Sequence, residues 1–108
     1  MQYYFQGLER RKGDMIARDS GEQISWDNCF INCTLSDGFS DKGVVYGNMV
    51  CSFKVKAGLI DRVFGMPLDV LLRDIDMYIG EAIDLSFFPN DKGGFDVGGV
   101  HFHDAVPL

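Results

Sequence analysis

Aromatic rings and lysines lie at alternating positions of two stretches that are typical of β-strands. Because successive side chains of a strand point to opposite faces, Trp26 and Phe30 share one face of the first stretch. Lys54 and Lys56 share one face of the second stretch in the same way. The bases of a single nucleic-acid strand stack on flat rings for about 1–3 kcal/mol each, and lysines neutralise its phosphates. The pattern therefore favours a surface that binds single-stranded nucleic acid. The alternative is that the two rings pack under a loop or a partner subunit.

A second basic group surrounds the first turn of the chain. It consists of Arg10, Arg11 and Lys12, with Arg18 on the other side of a cluster of turn residues. These cations are either further phosphate contacts or the solvated end of a hairpin. The candidate stacking residues are Trp26, Phe30, Phe39 and Tyr46. The candidate phosphate contacts are Arg10, Arg11, Lys12, Arg18, Lys42, Lys54 and Lys56.

Metal binding and catalysis have little support in the sequence. His101 and His103 are two residues apart, a spacing that can chelate a metal, but pairs of histidines are usually structural or solvated. On a strand Cys29 and Cys33 would stand about 13 Å apart, too far to share an ion easily. No acidic residue forms a recognisable pair or a triad with a histidine and a nucleophile. We therefore expect no metal, no cofactor and no enzymatic activity.

The order of segments predicts the fold class. Extended alternating segments occupy the first half of the chain, and a segment with helical spacing of apolar residues follows over Leu59–Asp76. Gly65-Met66-Pro67 interrupts that spacing. Two further strands flank the polar loop 89–94. Five strands with a helix between the third and the fourth predict a mainly β domain over residues 1–108, an OB-like barrel that is partly open.

Alternation also predicts faces and a core. The first strand is expected to end at Gly13. Gly98-Gly99, where the apolar parity switches, predicts a β-bulge. The residues predicted to be buried are Cys29, Ile31, Met49, Cys51, Phe53, Leu72, Ile83 and Leu85.

Charge is distributed unevenly along the chain. The formal net charge is −6. Eight Lys/Arg balance eight Asp/Glu up to Arg62, whereas two Lys/Arg face eight Asp/Glu after it. The first part can therefore carry a positive groove, and the acidic remainder should face away from any nucleic acid.

Cysteine usage and hydropathy bear on the compartment. The three cysteines lie within apolar stretches, which predicts buried reduced thiols and a cytoplasmic protein. No apolar run is as long as a membrane span, so no membrane partner is expected.

Short segments of the chain resemble a known family. Arg11-Lys12-Gly13, Arg18-Asp19-Ser20-Gly21-Glu22 and Trp26-Asp27-Asn28 resemble the opening of small single-stranded-DNA-binding proteins of filamentous phages and related prophages. Ser52-Phe53-Lys54-Val55 is similar to the third strand of such proteins, including the gene V helix-destabilising type. The resemblance implies an OB-type barrel, often a homodimer, that coats single-stranded phage DNA without catalysis or cofactor.

Two functional hypotheses follow. The first is a non-catalytic protein of a phage or mobile element that binds single-stranded DNA, with RNA as the alternative ligand, and has little sequence preference. The second is a protein-interaction module that binds a protein partner through its acidic C-terminal half.

Overall fold

The computed structural model describes residues 2–36 and 48–103. In these ranges the chain forms one five-stranded antiparallel sheet and a set of short helices. The strands are β1 (Gln2–Ile16), β2 (Gln23–Ser36), β3 (Met49–Lys56), β4 (Ala82–Pro89) and β5 (Phe95–Phe102). A 3₁₀ turn (Ala57–Leu59) precedes the helices α1 (Ile60–Phe64), α2 (Leu68–Arg73) and α3 (Ile75–Tyr78). The mainly β class, the five strands and the helical segment between strands 3 and 4 are thus confirmed.

The strands follow the order β3-β2-β1-β4-β5 across the sheet. β3 and β5 are therefore the end strands, and no backbone pairing joins them within the residues described. The sheet curls enough for Val55 of β3 and Val97 of β5 to line one cleft, but it stays open there. The predicted barrel is thus an unclosed sheet.

The core lies on the inner face of the sheet, beneath the helices. β2 contributes Cys29, Ile31 and Cys33, which are all buried, as the alternation of its sequence predicts. Ile83 is also buried as predicted. The remaining predicted core residues of the strands are half-buried, namely Met49, Cys51, Phe53 and Leu85.

The helical segment differs from the prediction of one interrupted helix. α1 ends at Gly65, which has a positive φ of 69°, and α2 begins only after Pro67. α2 ends at Asp74, whose φ of −107° and ψ of 18° are not helical. Within α2, Leu71 faces the core and is buried, whereas the neighbouring Leu72 is 47% exposed, so the predicted burial of Leu72 is wrong.

β1 is longer than predicted, because it does not end at Gly13. It pairs with β2 from Gln2↔Ser36 to Ile16↔Gln23. β3 pairs with β2 only as far as Asn28. The remainder of the hairpin, residues 12–27, is a two-stranded ribbon that extends beyond the sheet.

The last two strands form the predicted hairpin around residues 89–94. Ser86 pairs with Gly99 and Phe87 pairs with Val97, which leaves Gly98 as the extra residue of a bulge. The bulge predicted at the glycine pair is confirmed.

Candidate nucleic-acid interface

Strand register brings five of the predicted contact residues onto one face. Phe30 pairs with Lys54, and Asn28 pairs with both Arg11 and Lys56. Directly paired residues of antiparallel strands share a face, and Asn28 shares the face of Phe30 on β2. Arg11 therefore lies on the same face as Phe30. Trp26, two residues before Asn28 on β2, points the same way. We call this side of β1–β3 the outer face; it carries Arg11, Trp26, Phe30, Lys54 and Lys56.

Arg11 and Phe30 are in contact on the outer face. The guanidinium carbon of Arg11 lies 4.5 Å from the centroid of the Phe30 ring. The same guanidinium donates to both carboxylate oxygens of Glu9, at 2.6 Å from Nε and 3.2 Å from Nη2. Hydrogen bonding to Arg11 lowers the pKa of Glu9, and the same contact raises the pKa of Arg11.

The two lysines of β3 are available for an anionic ligand. Lys54 and Lys56 are both exposed. Neither takes part in an ion pair with another residue of the described ranges. They stand one strand away from Phe30 and Asn28, so a phosphate over β3 and a base over β2 would be neighbours.

Trp26 occupies the ribbon rather than the main sheet. Its side chain is 41% exposed. The indole lies across Gly13, its partner on β1, in space that a Cβ at Gly13 would need. Along β2 it stands about 13 Å from Phe30, four residues away. Trp26 and Phe30 are thus two separate rings rather than one aromatic cluster.

The basic group around the first turn is divided between the two faces. Arg10 and Lys12 lie opposite to Arg11, because neighbouring residues of a strand alternate. Arg10 donates to both carboxylate oxygens of Asp27, at 2.9 and 2.7 Å. This contact lowers the pKa of Asp27 and raises that of Arg10. The sequence prediction treated the three cations as one group, although the alternation used for β2 already separates them.

The other predicted contacts lie away from this face or outside the described residues. Arg18 is exposed in the turn between β1 and β2, where the backbone of Ala17 bonds to Glu22 and Gly21. Phe39, Lys42 and Tyr46 fall in residues 37–47, outside the described ranges.

A cleft of about 530 Å³ lies between β3 and the β4–β5 hairpin. Lys54 and Lys56 line it from β3, and from the β4–β5 hairpin the carboxylates of Asp91 and Asp96 line it together with Phe88 and Lys92. Sequence analysis missed these last two residues, because only the approach of β5 to β3 brings them beside the lysines. It also missed Glu9, which strand alternation places on the same face as Arg11.

One histidine contacts a carboxylate, and the three thiols are buried or half-buried. His103 Nε2 lies 2.9 Å from Asp84 Oδ1, an exposed ion pair when the imidazole is protonated. Within the described ranges no three His, Cys, Asp or Glu side chains come together as metal ligands would. Burial raises the pKa of the Cys33 thiol to about 12, which suppresses its nucleophilic form.

Acidic side chains dominate the helices and the β4–β5 hairpin. Asp69 and Asp76 are exposed on α2 and α3, and Asp74 pairs with Arg73. None of these three acids lies on the three strands that form the outer face. Of the helices described, none has the length and apolar character needed to cross a membrane.

Comparison with known proteins gives no relative. The chain matches no protein-family model, no curated protein and no solved structure. A function can therefore be inferred only from the geometry of the outer face.

Proposed function

We propose that the chain binds single-stranded DNA along the outer face, without catalysis. The observation that carries the proposal is the alignment of Arg11, Trp26, Phe30, Lys54 and Lys56 on one side of three paired strands. Rings supply stacking surfaces and cations neutralise phosphates, which is the combination used by proteins that bind single strands.

The same combination argues for weak sequence preference. Every base has a flat face that can stack on Trp26 or Phe30, and lysine contacts to phosphates are independent of sequence. Single-stranded RNA offers the same bases and phosphates and is the alternative ligand. We propose no cofactor.

The proposed class of protein is the phage or prophage type that the sequence resembles. Its support is the OB-like element order, in which the helices follow β3 and precede a final hairpin. A homodimer in the cytoplasm belongs to the same proposal.

The Trp26→Ala variant tests the proposal against a matched control. Loss of one stacking ring should weaken binding to labelled oligothymidine by about 1–3 kcal/mol. Phe95→Ala removes a more exposed ring, 71% accessible, from the β4–β5 hairpin and should leave the affinity unchanged. Equal effects of the two substitutions, with both folds intact, would contradict the assignment of the outer face.

A second candidate function is supported by the helical surface. Leu72, Met77 and Ile79 are exposed there, Met77 to 75%, beside the carboxylates of Asp69 and Asp76. Apolar side chains among acids suit a basic, amphipathic protein segment. Two results together would favour this function. The chain would not bind oligothymidine at low salt but would bind such a peptide, and Met77→Asp would abolish peptide binding.

A further inference from the structure

The cations of the outer face are not equivalent. Lys54 and Lys56 have no ion-pair partner within the described residues, whereas Arg11 is held by Glu9 at 2.6 and 3.2 Å. Both side chains of this pair remain exposed, Arg11 to 60% and Glu9 to 49%, so a ligand on the outer face can reach them.

Glu9 is held in place by the strand. It precedes Arg11 by two residues on β1 and pairs with Phe30 of β2. All three side chains therefore lie on the outer face. The guanidinium of Arg11 lies above the Phe30 ring, and the carboxylate of Glu9 accepts from Nε and Nη2 of the guanidinium. A guanidinium binds a phosphate through two parallel N–H donors of such an edge.

We propose that Glu9 is an internal competitor of the nucleic-acid phosphate for Arg11. This inference rests on the proposed function and names a residue that regulates it. A strand that reaches Arg11 must first displace the carboxylate of Glu9. Displacement also frees the guanidinium to move from Phe30, so capture of a phosphate uncovers a ring for the neighbouring base.

Two measurable consequences follow. Glu9 lowers the affinity for single strands, because part of the binding free energy is spent on breaking its contact with Arg11. It also lowers the salt dependence, because the Glu9–Arg11 pair is nearly neutral and neutralises less of a phosphate than a free cation does. Removing the carboxylate should reverse both effects.

The test compares Glu9→Gln with Asp27→Asn, measured as binding to labelled oligothymidine over a range of salt. Both substitutions remove one carboxylate that holds an arginine of β1, but Asp27 and Arg10 lie on the opposite face. Glu9→Gln should strengthen binding about threefold at low salt, the size expected of an exposed ion pair. Its salt slope should steepen by up to about 0.7, one single-strand phosphate contact. Asp27→Asn should change neither quantity beyond the general effect of one lost charge.

A double-mutant cycle with Arg11→Gln separates competition from overall charge. In a chain that already lacks Arg11, Glu9→Gln should give little gain, because no guanidinium remains to be released. Glu9→Thr, a strand-favouring substitution, repeats the test if the glutamine variant melts early.

Three results would overturn the inference: no gain on Glu9→Gln, the same gain in the Arg11→Gln background, or the same gain from Asp27→Asn. Each of these leaves the proposed function standing as long as the wild-type chain binds. A wild-type chain that does not bind oligothymidine at low salt would remove both.

Discussion

The indole ring of Trp26 lies across Gly13 on the neighbouring strand and fills the place of the missing side chain. A Cβ at Gly13 would overlap Cζ2, Cε2 and Cη2 of the ring. An aromatic residue opposite a glycine covers backbone that would otherwise be open to water. The contact explains why β1 continues through Gly13 and how the ribbon fixes one face of the indole while the rest stays exposed.

Gly13→Ala should therefore displace the Trp26 ring and weaken binding to oligothymidine severalfold. Trp26 is the single tryptophan of the chain, so its fluorescence reports both the displacement and the binding. Gly58→Ala is the control, because a Cβ there has no heavy atom within 4 Å and the glycine is exposed. Unchanged emission and affinity for Gly13→Ala would show that the ring packs elsewhere in solution.

Changing Lys54 and Lys56 together to Ala should flatten the salt dependence of binding. Two lost contacts to single-strand phosphates correspond to a slope smaller by about 1.4. Lys12→Ala combined with Arg62→Ala removes the same charge from outside the outer face and should change the slope much less. If the two double variants have equal slopes, net charge alone explains binding.

The buried thiols should react slowly with an alkylating reagent in the folded chain. Burial raises the pKa of Cys29, Cys33 and Cys51, so the reactive thiolate is scarce at neutral pH. Cys33, whose pKa is about 12, should be the slowest, and Cys51, which is half-buried, should be the first labelled. Mass spectrometry of partly labelled chain measures the order, and rapid labelling of Cys33 without denaturant would contradict the assigned core.

Neutralising Asp69 and Asp76 to Asn should raise the affinity for oligothymidine modestly at low salt and hardly at all at high salt. These acids lie on the helices, and charges beyond about 10 Å are screened at 0.1 M salt. A lower affinity, with an unchanged melting temperature, would place them within the binding site.

Much of this arrangement could be predicted from the sequence, because strand alternation is a strong local signal. The inward positions of Cys29 and Ile31, the outward positions of Lys54 and Lys56, and the bulge at Gly98-Gly99 all follow from a period of two. The same rule, applied to the basic group around the first turn, separates Arg11 from Arg10 and Lys12.

Other features depend on contacts between distant parts of the chain. Nothing local to Gly13 shows that Trp26 will cover it and extend β1. The exposure of Leu72 depends on which side of α2 packs against the core, and the position of Lys92 depends on the approach of β5 to β3. Each is a tertiary effect that overrides a local pattern.

A salt titration of wild-type chain binding to labelled oligothymidine tests the central claim most directly. Three phosphate contacts, from Arg11, Lys54 and Lys56, predict a logarithmic slope near −2 in monovalent salt. Competition by Glu9 would make it somewhat shallower. Binding at low salt with such a slope, together with quenching of Trp26 fluorescence, is the expected result. The absence of binding at low salt, or an affinity independent of salt, would contradict the account.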